Sequence, residues 1–243
     1  MSSESTRPLA VITGGSRGLG FEVAKALTLK GFDIALIAKD AQRLEEAADQ
    51  LRTSTAHIST FACDLEQPHL VRELIDSLTQ SLPTPTTLVL AHGVMSAKMS
   101  KTLKTDDAEW RRVMAINLDS VFQLVNGIAP AMADARNGRV IIFSACLGRM
   151  SGPGNAGGLA PYRISKAGVN ALVRNLAHET GLGARGFLVD AICPNHSRTD
   201  MGGPDAPRSA EEGAATAIWL ATREFNPGDT TGVLWEDQQV VPW

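Results

Sequence analysis

Charge of one sign, long apolar runs and paired cysteines are all scarce in this 243-residue chain. Lysine and arginine number 23 against 26 acidic residues, a formal net charge of −3, and no basic run stands out. That balance excludes the electrostatic footprint of a nucleic-acid binder or a membrane-surface patch. No apolar run approaches the roughly 20 residues needed to span a bilayer. The first residues, "MSSESTRPLAVITGG", lack a charged-then-apolar signal pattern. Cys63, Cys146 and Cys193 are far apart and odd in number, which reads as reduced thiols and not as a disulfide framework. The five histidines include no pair at metal-ligand spacing, so no metal is expected. These absences place the protein in the cytoplasm. Aromatics make up only 5% of residues, and there is a single tyrosine, Tyr162.

What the chain does have is alternation. "PLAVIT" (Pro8–Thr13), "DIALIA" (Asp33–Ala38) and "HISTFA" (His57–Ala62) are short apolar runs bounded by turn residues. "TLVLA" (Thr87–Ala91), "RVIIFS" (Arg139–Ser144), "FLVDAIC" (Phe187–Cys193) and "GVLWE" (Gly232–Glu236) read the same way. Such runs suit strands covered on both faces of a parallel sheet. Between them lie helical stripes: Leu19, Val23, Ala26 and Leu27, closed by Gly31, then Leu70, Val71, Leu74, Ile75 and Leu78 after Pro68. Asp107 to Ala133 is long enough for one large helix, and Val169, Leu172, Val173 and Leu176 mark another. The β-then-α order predicts one α/β domain over residues 1–243. Its sheet is doubly wound, parallel and Rossmann-type, with about seven strands and helices on both faces.

Two motifs carry chemistry. "TGGSRGLG" (Thr13–Gly20) ends a strand and opens a helix, with Gly14, Gly18 and Gly20 in Gly-x3-Gly-x-Gly spacing. Small residues there let the backbone approach a pyrophosphate at a helix N-terminus. "YRISK" places Tyr162 and Lys166 on one helix face, because residues four apart are neighbours. A lysine cation beside a phenol favours phenolate and lowers its pKa, so the pair can pass a proton to or from a carbonyl or hydroxyl. The second strand ends "IAKD", where an NAD site would carry an acid on the ribose. Lys39 stands there instead, with Arg17 in the glycine turn. Two cations suit a 2′-phosphate, so the expected cofactor is NADP(H).

With both motifs in place, the chain resembles the short-chain dehydrogenase/reductase family over essentially its whole length. Its C-terminal third, from "SRTDMGGP" to "WEDQQVVPW", is similar to carbonyl-reductase-like members, without the long insertion of animal carbonyl reductases. The resemblance implies an NADP(H)-dependent oxidoreductase that interconverts a carbonyl and an alcohol on a small to medium apolar substrate. Tyr162 is then the acid/base, Lys166 its charge partner and ribose ligand, and Asn117 the residue holding a relay water. Asp64 takes the adenine-contacting place, with Leu65 beside it. Ser16 and Leu19 belong to the glycine turn, Ala91 and Gly93 to the backbone under the cofactor, and Pro194 and Thr199 to the segment facing the nicotinamide. The family commonly pairs through the helices bearing Asn117 and Tyr162, which implies a homodimer or homotetramer.

Three departures cluster at the expected site edge. The family's Ser-Ser-x-x-Gly is "SACLG", so the second serine becomes Ala145 and only Ser144 remains. Ser144 can polarise a carbonyl only if the strand end bulges or the loop shifts register. The family's Asn-Asn-Ala-Gly is "LAHG", and its Pro-Gly is Pro194-Asn195, a turn that asparagine can still make. His92, His196 or Ser144 is the expected substitute donor. Two other readings keep the fold: an NADP(H)-binding sensor or scaffold with little catalysis, and a reductase of C=N or C=C bonds. Met95, Met99, Leu147, Met150, Pro161 and Met201 are expected at the substrate pocket's edge.

Overall fold

Each apolar run pairs edge to edge with its neighbours, and helices cover both faces of the resulting sheet. The computed structural model describes residues 7–52, 55–96, 101–226 and 228–243. In chain order the elements are β1 (Leu9–Thr13), α1 (Gly18–Leu29), β2 (Asp33–Ala38), α2 (Ala41–Leu51) and β3 (Ile58–Ala62). Then follow α3 (Pro68–Ser81), β4 (Thr87–Leu90), α4 (Asp107–Met114), α5 (Ser120–Asp134) and β5 (Gly138–Phe143). The remainder is α6 (Ala160–Glu179), β6 (Phe187–Ile192), α7 (Ala210–Thr222), β7 (Leu234–Glu236) and β8 (Gln239–Val241). The sheet order is β3-β2-β1-β4-β5-β6-β7-β8. All pairings are parallel except β7 with β8.

Side chains alternate across the strands and feed two cores. Leu9 and Val11 of β1 join Val71, Leu124 and Val169 from α3, α5 and α6. Ala10 and Ile12 join Val23, Leu44 and Leu220 from α1, α2 and α7. Strand order reverses beside β1, which lies between β2 and β4. A crevice opens at such a point beyond the strands' C-terminal ends, and ligands bind there.

Gly31 does end α1. It adopts φ +89°, its N–H bonds the Thr28 carbonyl, and the Phe32 N–H reaches back to Leu27, a Schellman closure. The helix expected over Asp107–Ala133 is real but not uniform. Between α4 and α5 the backbone winds as a π turn over Ala115–Asp119, which contains Asn117. Such turns insert a residue into an α-helix and re-aim its side chains. Two helices escaped the sequence stripes. α2 buries Leu44, Ala47, Ala48 and Leu51, with Asp40 accepting from the Arg43 N–H. α7 opens on a reciprocal capping box between Ser209 and Glu212.

Among the described residues the sheet has eight strands, not about seven. β8 was hidden because it has three residues and follows a two-residue hairpin loop, Asp237-Gln238, that contains no glycine. Both loop residues have positive φ, 51° and 60°, as a type I′ turn demands.

A buried carboxyl sits inside this framework. Asp190, in mid-β6, is buried and accepts from Trp235 Nε1 at 2.9 Å and from Thr231 Oγ1 at 3.3 Å. Arg223 Nη2 lies 3.3 Å away, and its guanidinium stacks over the Trp219 and Trp235 rings. Burial pushes the Asp190 carboxyl up to about 6, and the bonds from Trp235 and Arg223 only partly offset it. The folded state therefore binds this proton more tightly than the unfolded chain. Stability from Asp190 is fully present below pH about 4 and is lost as pH rises through about 6. Urea unfolding of Asp190→Asn should remove a pH-dependent stability loss of about 3 kcal/mol between those values. Parallel pH profiles for the variant and the parent chain would contradict this.

Candidate active site

The glycine turn is held by close approach. Gly14 and Gly18 take φ +66° and +55°. A Cβ on Gly20 would lie 2.4 Å from the Gly14 carbonyl oxygen, so only glycine lets α1 seat on the end of β1. No side chain caps the N-terminus of α1, and its first turn holds no acid. Its unpaired N–H groups and positive dipole end are available to an anion.

A cleft of about 880 Å³ runs across the strand ends. Its wall includes Gly14, Ser16, Arg17, Gly18, Leu19 and Gly20 from the turn, Lys39 after β2, and Asp64 and Leu65 after β3. Ala91 and Gly93 follow β4, Ser144 follows β5, Tyr162 and Lys166 come from α6, and Pro194 and Thr199 follow β6. Every cofactor-facing residue expected from the sequence is thus brought to one place. Of the expected catalytic residues, Asn117 alone does not line the cleft and is fully buried.

The cleft's cations are engaged at its rim. Lys39 Nζ pairs with Asp64 Oδ2 at 2.7 Å. That bond raises the Lys39 pKa; burial pushes the Asp64 carboxyl up, but the bonds from Lys39 and the Glu66 backbone bring it below its ordinary value. Arg17 pairs with Asp200 across the mouth. Arg43, on the first turn of α2, also lines the cleft and lies 3.5 Å from Asp40. Sequence reasoning missed it; its place four residues after Lys39, across a helix cap, was the available signal. Exposed pairs of this kind are worth little, so an incoming phosphate can exchange them at small cost.

On α6, Lys166 is almost completely buried and donates from Nζ to the Phe143 carbonyl at 2.7 Å. Burial lowers its pKa to about 8. Nζ lies 5.9 Å from the Tyr162 ring centroid. A Cβ on Gly93 would lie 3.3 Å from Asn117 Oδ1, a tight fit, and 3.5 Å from Nζ, so the loop after β4 runs close beside both side chains. The expected lowering of the Tyr162 pKa is not what these surroundings produce. Burial and the nearby Cys193 and Cys146 thiols push the phenol up. Lys166 does not reverse this, since its ammonium is itself desolvated and turned to Phe143.

Asn117 is a staple in this arrangement. Its Oδ1 accepts from the Val94 N–H at 2.8 Å, and its Nδ2 donates to the Val94 carbonyl at 2.9 Å and to Ser165 Oγ at 3.1 Å. Ser165 Oγ in turn donates to the Tyr162 carbonyl. The π turn, the loop after β4 and the first turn of α6 are thereby tied together. The side-chain amide is thus occupied by direct protein bonds.

The three expected substitutes for the lost serine are all committed elsewhere. β5 does not bulge: the Ser144 N–H continues the ladder to the Ile192 carbonyl at 2.8 Å. The Ser144 hydroxyl turns into α6, donating to Asn170 Oδ1. It therefore anchors the strand end to that helix and is not aimed at a substrate carbonyl. His92 Nδ1 lies 2.6 Å from Thr13 Oγ1, and Nε2 lies 3.1 Å from the Ile116 carbonyl. A carbonyl only accepts, so Nε2 carries the proton and Nδ1 accepts from Thr13. Burial, with the Lys166 charge, holds this ring neutral, pushing its pKa down to about 3. His196 is exposed, bonds the Gly202 carbonyl and lies off the cleft wall. Asn195, by contrast, makes the expected left-handed turn, with φ +58°.

Of the methionines expected at the substrate edge, Met95 and Met201 line the cleft. Leu147, Met150 and Pro161 do not; Pro161 is buried in the opening turn of α6, and Met150 faces solvent. Met99 lies outside the described residues. Arg112 on α4 is an unforeseen member of the wall, bonded to Glu109 and to the Met95 carbonyl. Among the described residues no cluster of ligands could hold a metal ion, and no helix is long and apolar enough to cross a membrane.

This geometry has relatives. A family model described as short chain dehydrogenase matches residues 8–209. The 3-oxoacyl-(acyl-carrier-protein) reductase FabG of Pseudomonas aeruginosa is 31% identical over 204 residues, covering 83% of this chain and 79% of that protein. Carbonyl reductase (NADPH) 1 of Rattus norvegicus is 27% identical over 280 residues, covering 98% of this chain and 99% of that protein. A blue fluorescent protein from a metagenomic library, crystallised with NADPH, shares the fold with a TM-score of 0.80 at 23% identity, covering 93% of this chain and 94% of that one. The chain therefore belongs to the short-chain dehydrogenase family, a family of oxidoreductases.

Proposed function

We propose that this protein is an NADPH-dependent reductase of carbonyl compounds, with residues 1–243 forming one domain that binds cofactor and substrate in the same cleft. The observation that carries this reading is the buried Lys166 beside Tyr162 at the floor of that cleft, facing a glycine-shaped backbone. The cradle fits a dinucleotide. Gly14 and Gly20 leave no side chain between the turn and the strand ends, and the uncapped N-terminus of α1 would meet the pyrophosphate.

NADPH, when bound, supplies hydride from its nicotinamide ring. Lys39, Arg17 and Arg43 would hold its 2′-phosphate, each by giving up a carboxylate partner. Thr199 packs against Gly18, so the segment after β6 covers the glycine turn and helps exclude water. Tyr162 donates the proton that the carbonyl oxygen needs as it becomes a hydroxyl. Its raised pKa keeps it protonated at neutral pH, the form a reductive acid requires. Lys166, charged below pH about 8, stabilises the phenolate left behind and retains ammonium protons for the cofactor ribose. Asn117 and Ser165 fix the position of the tyrosine's helix turn.

Met95 and Met201 support an apolar substrate of small to medium size. Exposed Phe122 on α5 and Ile164 on α6 support pairing of two copies through these helices. The free cysteines are in keeping with a cytoplasmic location. One observation favours a second reading, a nucleotide-binding sensor with little catalysis: Ala145 offers no donor and the Ser144 proton is spent on Asn170. Losing one oxyanion donor costs on the order of 100-fold in turnover, which slows a reductase without abolishing it.

Purified protein mixed with NADPH and a panel of ketones, aldehydes, imines and enones separates these readings. The proposal expects NADPH consumption with ketones or aldehydes, falling at least about 100-fold in Tyr162→Phe while NADPH still binds. Tight NADPH binding without turnover across the panel would favour the sensor, and reduction of imines or enones alone would move the reaction to C=N or C=C bonds. For the cofactor, Lys39→Ala and Arg43→Ala should each weaken NADPH about tenfold and leave NADH unchanged, since each removes one charge-assisted phosphate contact. Equal losses for both nucleotides in a calorimetric titration would remove these residues from phosphate recognition.

A further inference from the structure

Two of the three cysteines meet where the catalytic helix, β5 and β6 converge. Cys193 follows β6 directly and is buried; Cys146 opens a single 3₁₀ turn, Cys146–Gly148, after β5 and is half-buried. They are 47 residues apart in the chain, yet the Cys146 N–H donates to Cys193 Sγ at 3.0 Å, and the two thiols hydrogen-bond one another. Neither thiol is used in the chemistry above, and neither lies on the cleft wall. Both are close enough to Tyr162 for their charge to act on the phenol.

We propose that Cys146 and Cys193 form a dithiol site that hydrogen peroxide converts to a disulfide, with Cys146 as the attacking thiol and Cys193 as the resolving one. The division of labour follows from their surroundings. The bond from Cys193 holds the Cys146 thiol below its ordinary value against the effect of burial, helped by the Leu147 backbone and Arg149; Glu236 opposes it. The same bond and burial push Cys193 up. Cys146 is the more accessible sulfur of the touching pair, so peroxide meets it first, with Cys193 held against it by the Cys146 N–H. Cys63, at the far side of the sheet after β3, has no such partner, and burial pushes it up to about 11.

The chemistry balances. The Cys146 thiolate attacks one peroxide oxygen; an S–O bond forms, the O–O bond breaks, and hydroxide leaves to be protonated to water. The Cys193 sulfur then attacks the Cys146 sulfenic acid. An S–S bond forms, the S–O bond breaks, and the Cys193 proton departs with the hydroxyl as a second water. The two thiols lose two electrons and the peroxide gains them. The product links the loop after β5 to the end of β6 and removes the thiolate that opposes ionisation of Tyr162.

The test needs neither NADPH nor a carbonyl, so it stands apart from the fate of the reductase reading. The full chain is treated with a small excess of hydrogen peroxide, unfolded in N-ethylmaleimide, digested without reductant and mapped by mass spectrometry. The expected product is a peptide pair joining Cys146 to Cys193, split by dithiothreitol, with Cys63 carrying maleimide. In Cys193→Ala, dimedone should trap a sulfenic acid on Cys146. Wild-type mapping decides the matter alone if that variant does not fold. Maleimide on all three thiols, a cross-link through Cys63, or sulfinic acid on Cys146 without a cross-link would overturn the proposal.

Discussion

A buried ammonium organises this active site. Lys166 has little exposure to water, and its direct protein hydrogen bond is to the Phe143 carbonyl at the end of β5. Burying a charge is costly unless it is met by partners, so the surroundings are built around it. The loop after β5 passes so close to α6 that a Cβ on Gly148 would fall 2.7 Å from Lys166 atoms. The loop after β4 presents Gly93 on another side. Once the lysine is fixed, Tyr162 one helical turn earlier is fixed as well, and the Asn117–Ser165 bonds lock that turn to the π segment.

The far end of the cleft follows a different logic. There the cations are exposed and each is paired with a carboxylate, Lys39 with Asp64 and Arg17 with Asp200. Such pairs add little stability and exchange readily for a stronger anion. The site thus combines a rigid chemical centre with an adaptable nucleotide rim. The loop after β6 joins the two, since Thr199 touches Gly18 and Asp200 reaches Arg17.

What the sequence revealed was local. The glycine turn and the Tyr162–Lys166 spacing each lie on one element, and the apolar runs of a doubly buried sheet stand out whatever their partners. What it concealed depends on distant partners. Ser144 and Asn170 are 26 residues apart, His92 and Thr13 79 apart, and no local pattern records those bonds. The π turn at Asn117 lies inside a run long enough for one helix, and length alone does not reveal it. β8 is too short to show alternation. The acidity of Tyr162 was misjudged for the same reason: the lysine four residues on is visible, while burial and the two thiols are properties of the assembled fold.

The central claim is that a buried, charged Lys166 sustains proton transfer by Tyr162. Its most direct test is the pH dependence of kcat/KM for NADPH, which reports groups of the free protein. The account predicts a plateau that breaks near pH about 8, where the buried ammonium loses its proton, and then a fall of about tenfold per pH unit. A rate that stays flat to pH values well above that break would show that the charge on Lys166 does not matter to the chemistry.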